Sequence, residues 1–140
     1  MKREKSRRFS LWRNLTHSIH GIIEVTRNET PMKADILLLI AGSAILIVWD
    51  ISFTRRAVLF VSLLLPIFAE LINSAIERVV DLVTEDYHDL AKTAKDAGSA
   101  VVFVALVITS LVWAIVFWLV YFGDSVTAVS VSDSAGLWRA

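Results

Sequence analysis

Three carboxylates and two neutral polar groups share one face of a single helical stretch. Glu70, Asn73, Ser74, Glu77 and Asp81 stand at offsets of 0, 3, 4, 7 and 11, which the helical period stacks into one narrow stripe. Leu71, Ile72, Ala75, Ile76 and Val79 make the opposite stripe. Carboxylates in such a row can accept a proton from a substrate hydroxyl or offer hard oxygen ligands to a divalent cation. Asp81, at the end of the row, reads on its own as a solvated helix terminus. Glu70 does not, because it follows the thirteen uncharged residues Ala57–Ala69. A carboxylate at the centre of a bilayer costs about 2.5–3.5 kcal/mol on insertion scales and less near the interface, so a Glu at such depth faces protein or water and has a task. Desolvation there suits it to act as a general base.

The next polar stretch, TEDYHDLAKTAKDAGS from Thr84 to Ser99, reads as the longest polar loop of the chain. It holds acceptors (Glu85, Asp86, Asp89, Asp96), His88, Tyr87 and the cations Lys92 and Lys95. A lysine at the mouth of a helix suits a phosphate, and glutamates on an adjacent face suit Mg2+. The spacing of Ala94 and Gly98 permits a close helix approach. Neither GxxxxGK[ST] nor GxGxxG occurs, which excludes nucleotide sites of the P-loop, soluble-kinase and Rossmann types. His17, His20 and His88 lack HExxH spacing, and each alone reads as structural or interfacial. There is no Cys, hence no disulfide framework and no thiol nucleophile.

These groups must be positioned by elements that live in lipid. Of 140 residues, 56% are hydrophobic and 20% charged, too oily for a soluble domain of that length. The net charge is zero, which excludes an acidic or basic disordered tail protein and gives no sign of nucleic-acid binding. The charges are unevenly placed. Residues 1–33 carry eight Lys/Arg against Glu4, Glu24 and Glu29, while the 27 residues Ala97–Gly123 carry none. That run rises about 40 Å as a helix, enough for a hydrocarbon core of ~30 Å. Ile36–Trp49 and Ala57–Ala69 reach spanning length if the first starts near Pro31–Lys33 and the second continues past Glu70 to Leu82, with Pro66 as a tolerated kink. The expectation is an all-α, polytopic membrane protein with three transmembrane helices. A signal peptide fits poorly, since over thirty residues, many of them charged, precede the first apolar run. The basic N-terminus predicts a cytoplasmic start, an external Asp50–Arg56 link, a cytoplasmic 78–96 segment and an external C-terminus.

Ahead of the first span, Trp12, Leu15, Ile19 and Ile22 form an apolar stripe opposite Arg13, His17, His20, Glu24 and Arg27. This predicts an amphipathic surface helix lying in the interface, either as an anchor or with its polar stripe facing a ligand. Pro31 predicts the break before the first span. The expected divisions are residues 1–30 (basic start and surface helix), 31–123 (the three spans) and 124–140 (a polar external tail).

The stretch ELINSAIERVVDLVTEDYHDLAKTAKDAGSA, Glu70–Ala100, resembles the signature of the small prokaryotic diacylglycerol kinases: ExxNxxxE, then a YH pair, then AKDxGSA. The likeness extends backward through Ser18, Gly21, Asn28, Glu29, Asp50 and Arg56, and covers about residues 8–123. It implies a three-span integral membrane kinase of the inner (cytoplasmic) membrane, a homotrimer, that uses ATP and Mg2+ to phosphorylate diacylglycerol to phosphatidic acid at the cytoplasmic face. Residue by residue, it implies Glu70 as catalytic base with Asn73 beside it, and Glu29 and Glu77 as metal ligands. It implies Asp86, Tyr87, His88, Lys95 and Asp96 as nucleotide contacts, with His17 and Arg13 on the N-terminal side. Asp35 and Ser99 fall near the lipid head, and Ser18, Asp50 and Arg56 complete the substrate-side matches. Two positions depart from the pattern. Ser10 stands where the family commonly has Arg, and His17 where it has Tyr; Arg7, Arg8 or Arg13 are the candidates to supply the cation. An undecaprenol kinase of the same family is the near alternative, and a non-catalytic small membrane subunit the distant one.

Overall fold

The computed structural model describes residues 11–123, so Arg7, Arg8, Ser10 and the 124–140 tail lie outside the described residues. The regular structure within that range is helical throughout. α1 runs over Leu11–Asn28, α2 over Thr30–Val48, α3 over Phe53–Ser62, α4 over Leu64–Val83 and α5 over Asp89–Tyr121. Three stretches are long and apolar enough to cross a membrane: Thr30–Val48, Phe53–Val83 and Asp89–Tyr121. Large apolar side chains such as Leu37, Ile47, Phe68, Phe103, Leu111 and Ile115 point outward along them, a surface that hydrocarbon covers and water does not. The chain is a multi-pass, three-span helical membrane protein, as its charge-free runs predict.

The junctions set where the polar groups fall. Between α1 and α2, Glu29 leaves helical geometry (φ −112°, ψ 126°), and Pro31 occupies the first turn of α2, where its missing N–H breaks no helical bond. Between the second and third spans the turn is shorter than the polar composition suggests. Helix resumes at Asp89, so Lys92, Lys95, Asp96 and Ser99 project from the first turns of α5 instead of lying in a loop. His88 caps this helix, its Nδ1 accepting the Leu90 N–H at 3.1 Å, and Asp89 in the first turn complements the helix dipole. At ~1.5 Å per residue, a helix of 33 residues outruns the hydrocarbon by several turns, which lets its charged start stand in water.

The second span is interrupted, and the interruption lies at Leu63, three residues before the expected kink at Pro66. Pro66 has no N–H to give to the Ser62 carbonyl, four residues back. That carbonyl instead accepts the Thr109 hydroxyl of α5 at 2.9 Å, a hydroxyl that lies equally close to Ala105 O on its own helix. The Leu63 N–H is shared between Leu59 O (3.3 Å) and Phe60 O (3.2 Å), and Ser62 Oγ donates to Leu59 O at 2.7 Å. A tertiary hydrogen bond thus satisfies the backbone oxygen that proline orphans, as a lipid environment demands.

Two packing contacts lock the spans. A Cβ on Gly42 of α2 would come within 2.7 Å of Leu63 Cδ1, so α2 meets the α3–α4 turn at its smallest residue. A Cβ on Gly98 would overlap Asn73 Oδ1, so α5 meets the polar face of α4 the same way. An apolar core of Leu46, Ile51, Leu59, Leu63 and Val116, flanked by Trp49 and Trp113, holds the opposite end.

Gly98→Ala is expected to lower resistance to denaturation by SDS by about 1–3 kcal/mol, because Asn73 must turn away from the new methyl and give up its bond to Glu77. Thr109→Val is expected to lower it by about 1 kcal/mol through the orphaned Ser62 carbonyl. Ser110→Ala removes only a bond to Leu106 O on an exposed face and is expected to be neutral within about 0.5 kcal/mol in the same titration.

Candidate active site

In α4 the usual logic of an amphipathic helix is reversed. Glu70, Asn73 and Ser74 are 3%, 7% and 1% exposed, while Phe68 and Val79 face outward. The polar stripe is the inward one because the outside is hydrocarbon. α2 adds Asp35, also buried. Asp35, Glu29 and Glu77 are the acidic groups near enough for their charge to be felt at Glu70, so four carboxylates converge on one end of the bundle.

Most of them are tied in place. Asn73 Nδ2 donates to Glu77 Oε1 at 3.1 Å. Ser74 Oγ donates to Glu29 Oε2, and the Arg78 guanidinium donates to Glu29 Oε1 at 3.1 Å and reaches Glu24 at 3.6 Å. The α1–α2 junction, where Glu29 sits, is therefore docked on α4 through polar contacts. Among the described residues, Asp35 Oδ2 and Asn73 Oδ1 are buried oxygens that receive no hydrogen bond. Asn73 Oδ1 is closed off by Gly98, and Asp35 Oδ2 is the acceptor of the two left to receive a hydroxyl donor, the group a substrate alcohol would bring.

On the water side of this cluster lies a cleft of ≈ 390 Å³ between the end of α4 and the start of α5. Asp86, Tyr87, His88, Lys95 and Asp96 all line it, and so does Lys92. Lys95 Nζ is 2.5 Å from Asp81 Oδ1, Lys92 Nζ is 2.6 Å from Asp96 Oδ2, and Tyr87 Oη donates to Asp89 Oδ1 at 3.0 Å. All five residues expected as nucleotide contacts in this stretch thus share one polar hollow. A second hollow of ≈ 800 Å³, lined by Trp49, Trp113, Phe117 and Tyr121, is apolar and lies at the other end of the bundle, without the groups for catalysis.

Other expected site residues are not gathered here. α1 does not pack against α5, which leaves His17, Arg13 and Ser18 apart from the cleft, and Ser18 Oγ bonds Asn14 O at 3.0 Å. Asp50 and Arg56 lie at the aromatic end, where Arg56 donates to Trp49 O at 3.0 Å. Fourteen residues separate Arg56 from Glu70 along nearly continuous helix, about 20 Å at ~1.5 Å per residue, too far to touch the same substrate head. Ser99 follows Gly98 on α5 and is exposed. Conversely, Arg78 and Ser74 emerge as Glu29 partners. Ser74 was visible on the polar stripe, but only the fold reveals what either residue touches.

The donor set fits a hard cation. Glu29 and Glu77 offer oxygen ligands at the polar face of α4, and Mg2+ characteristically takes one or two carboxylates and fills its remaining positions with water and substrate phosphates. Among the described residues no group of three or more His, Cys, Asp or Glu side chains is placed to hold a metal ion.

Comparison with known proteins extends these observations. Residues 16–117 match the family model of prokaryotic diacylglycerol kinase. The chain is 38% identical over 98 residues to a diacylglycerol kinase of Pseudomonas aeruginosa, covering 70% of this chain and 80% of that protein. It is 32% identical over 102 residues to the diacylglycerol kinase of Escherichia coli, covering 73% and 84%. It is also 32% identical over 110 residues to an undecaprenol kinase of Bacillus subtilis, covering 76% and 86%. The matched region contains Glu29, Asp35, Glu70, Asn73, Glu77 and the cleft between α4 and α5, and on this ground the chain belongs to the prokaryotic diacylglycerol kinase family.

Proposed function

We propose that this chain is a diacylglycerol kinase: it transfers the γ-phosphoryl group of ATP to the hydroxyl of 1,2-diacylglycerol, releasing phosphatidic acid and ADP. The observation that carries the reading is Glu70, a buried carboxylate beside an unpartnered Asp35 oxygen in an apolar three-span bundle, inside the region matched to the family. A lipid alcohol diffuses in the plane of the bilayer, and a base at the level where the apolar faces end is where its headgroup arrives.

The chemistry asks little of the protein beyond positioning, charge neutralisation and a proton acceptor. Glu70 takes the proton of the lipid hydroxyl as its oxygen bonds to the γ-phosphorus. The bond from that phosphorus to the β–γ bridging oxygen breaks, and the electron pair leaves with ADP. Asn73 holds Glu77 and lines the wall beside the base. Asp35 Oδ2 accepts a hydrogen bond from the glycerol head. Glu29 and Glu77 would hold Mg2+, which when bound would neutralise the phosphate charge. Asp86, Tyr87, His88, Lys95 and Asp96 hold the nucleotide in the cleft they line.

The finer architecture follows from the same physics. The charged end is cytoplasmic, since ATP is there and the N-terminal basic excess favours it; the aromatic end and the C-terminus are external, and the membrane is the bacterial inner membrane. α1 lies in the interface, with Trp12, Leu15, Ile19 and Ile22, all exposed, in lipid. The protein works as a homotrimer, the assembly that the resemblance to its family implies.

Glu70→Gln is expected to lower turnover by about 10²–10⁴-fold, the range of a lost general base, with helical content and membrane insertion unchanged by circular dichroism and extraction. Glu77→Ala is expected to raise the KM for ATP and the Mg2+ requirement more than it lowers the lipid affinity, measured by initial rates at varied Mg·ATP. Radiolabelled ATP supplied with diacylglycerol or undecaprenol decides between the two lipids. Transfer to undecaprenol alone would overturn the diacylglycerol reading, and transfer to neither would favour a non-catalytic subunit.

A further inference from the structure

Arg78 is a cation with no place in the roles above, yet it stands one residue beyond Glu77 and holds two acids of the cluster. Its guanidinium lies 3.1 Å from Glu29 Oε1 and 3.6 Å from Glu24 Oε1. The side chain is 43% exposed, against 22% for that of Glu29, so a ligand coming from water meets the arginine first. Lys95 and Lys92 line the cleft and are engaged with Asp81 and Asp96, while Arg78 stands outside that lining, on the side of α4 that meets Glu24 and Glu29. A polyphosphate approaching Glu29 and Glu77 meets a surface dominated by carboxylates, and needs a positive group on the α1–α2 side as well.

We propose that Arg78 is a phosphate-binding residue of this site, stored on Glu29 in the free protein and handed to the phosphates of ATP when the cation takes Glu29. The inference rests on the reading of the chain as an ATP-dependent kinase. Its physical basis is an exchange of partners. Before binding, the Glu29 carboxylate accepts from Arg78 and from Ser74. Afterwards Glu29 faces the divalent cation and the freed guanidinium faces the phosphate oxygens, so neither charge is left without an opposite. Arginine suits the second state because its planar fork matches phosphate geometry bidentately. The pair it gives up is partly exposed and solvent-screened, and such pairs exchange readily.

The test uses the full chain in lipid nanodiscs, with wild type, Arg78→Ala, Arg78→Gln and Arg78→Lys. Binding of a non-hydrolysable ATP analogue with Mg2+ is measured alongside steady-state kinetics. Loss of the charge in Arg78→Ala and Arg78→Gln is expected to weaken analogue binding about tenfold, as for a lost charge-assisted contact, and to raise the KM for ATP in step. The KM for diacylglycerol should stay within about twofold, and Arg78→Lys should recover part of the loss. Binding of Mn2+ without nucleotide should be retained or strengthened in Arg78→Ala, since Glu29 loses a competing cation. Unchanged analogue binding in the charge-free variants overturns the proposal. So does a parallel loss of Mn2+ and nucleotide, which assigns Arg78 to shaping Glu29 alone. A wild type that binds the analogue but phosphorylates no lipid overturns the kinase reading while the binding series still decides Arg78; a wild type that binds no nucleotide overturns both.

Discussion

Hydrocarbon offers no hydrogen bonds, so any polar group at membrane depth must find its partner inside the protein. The arrangement of α4 follows from that constraint. A row of Glu70, Asn73 and Ser74 on a helix in lipid can only point inward, and α2 and α5 must then supply a polar or very small surface opposite. α5 supplies Gly98, which lets Asn73 approach its backbone. The α1–α2 junction supplies Glu29, which accepts from Ser74. The apolar face of α4 goes outward for the same reason, leaving residues such as Phe68 and Val79 exposed. Inverting the helix creates the site and packs the spans in one step.

The same constraint explains the break in the second span. Had the Ser62 carbonyl been left to lipid, Pro66 would have destabilised the helix outright. Thr109 accepts that task from α5, and the Leu63 N–H divides itself between two carbonyls so that the chain can turn without losing its own bond. The turn lies seven residues before Glu70, about two helical turns at ~3.6 residues each. The direction in which α4 leaves it decides which side chains face α2. A hydroxyl buried between spans is thus part of what aims the Glu70 carboxylate.

Much of this was legible in the residues. The charge-free run Ala97–Gly123 gave away α5 by length alone, and the offsets from Glu70 to Asp81 gave the polar face, because both are local patterns. The start of α5 was not legible: polar composition after Thr84 describes a loop and a helix that begins in water equally well, and the His88 cap distinguishes them only once its Nδ1 meets Leu90 N. The turn at Leu63 depends on Thr109, 47 residues from the carbonyl it serves. Arg78 was hidden for the same reason, since its partner Glu29 is 49 residues away. The family pattern alone groups Asp50 and Arg56 with the substrate, and an extended helical span carries them to the aromatic end. Periodicity reports which residues share a face; it does not report which face of another helix they meet.

The two halves of the site differ in how firmly they are held, and the difference follows from depth. Glu70, Asn73 and Ser74 are buried, and Asn73 is wedged against the backbone at Gly98, so this face of α4 is held in place. The charged groups around them (Arg78 with Glu29, Lys95 with Asp81, Lys92 with Asp96) sit at the water boundary with side chains 22–63% exposed. Water screens such pairs, so their partners can be replaced by phosphate or a cation without unfolding anything. Proton abstraction needs a fixed distance, whereas a polyphosphate must enter and leave in every turnover. A bundle crossing from hydrocarbon to water over about three helical turns of α4, from Glu70 to Asp81, would offer a fixed carboxylate for the first and exchangeable charge for the second.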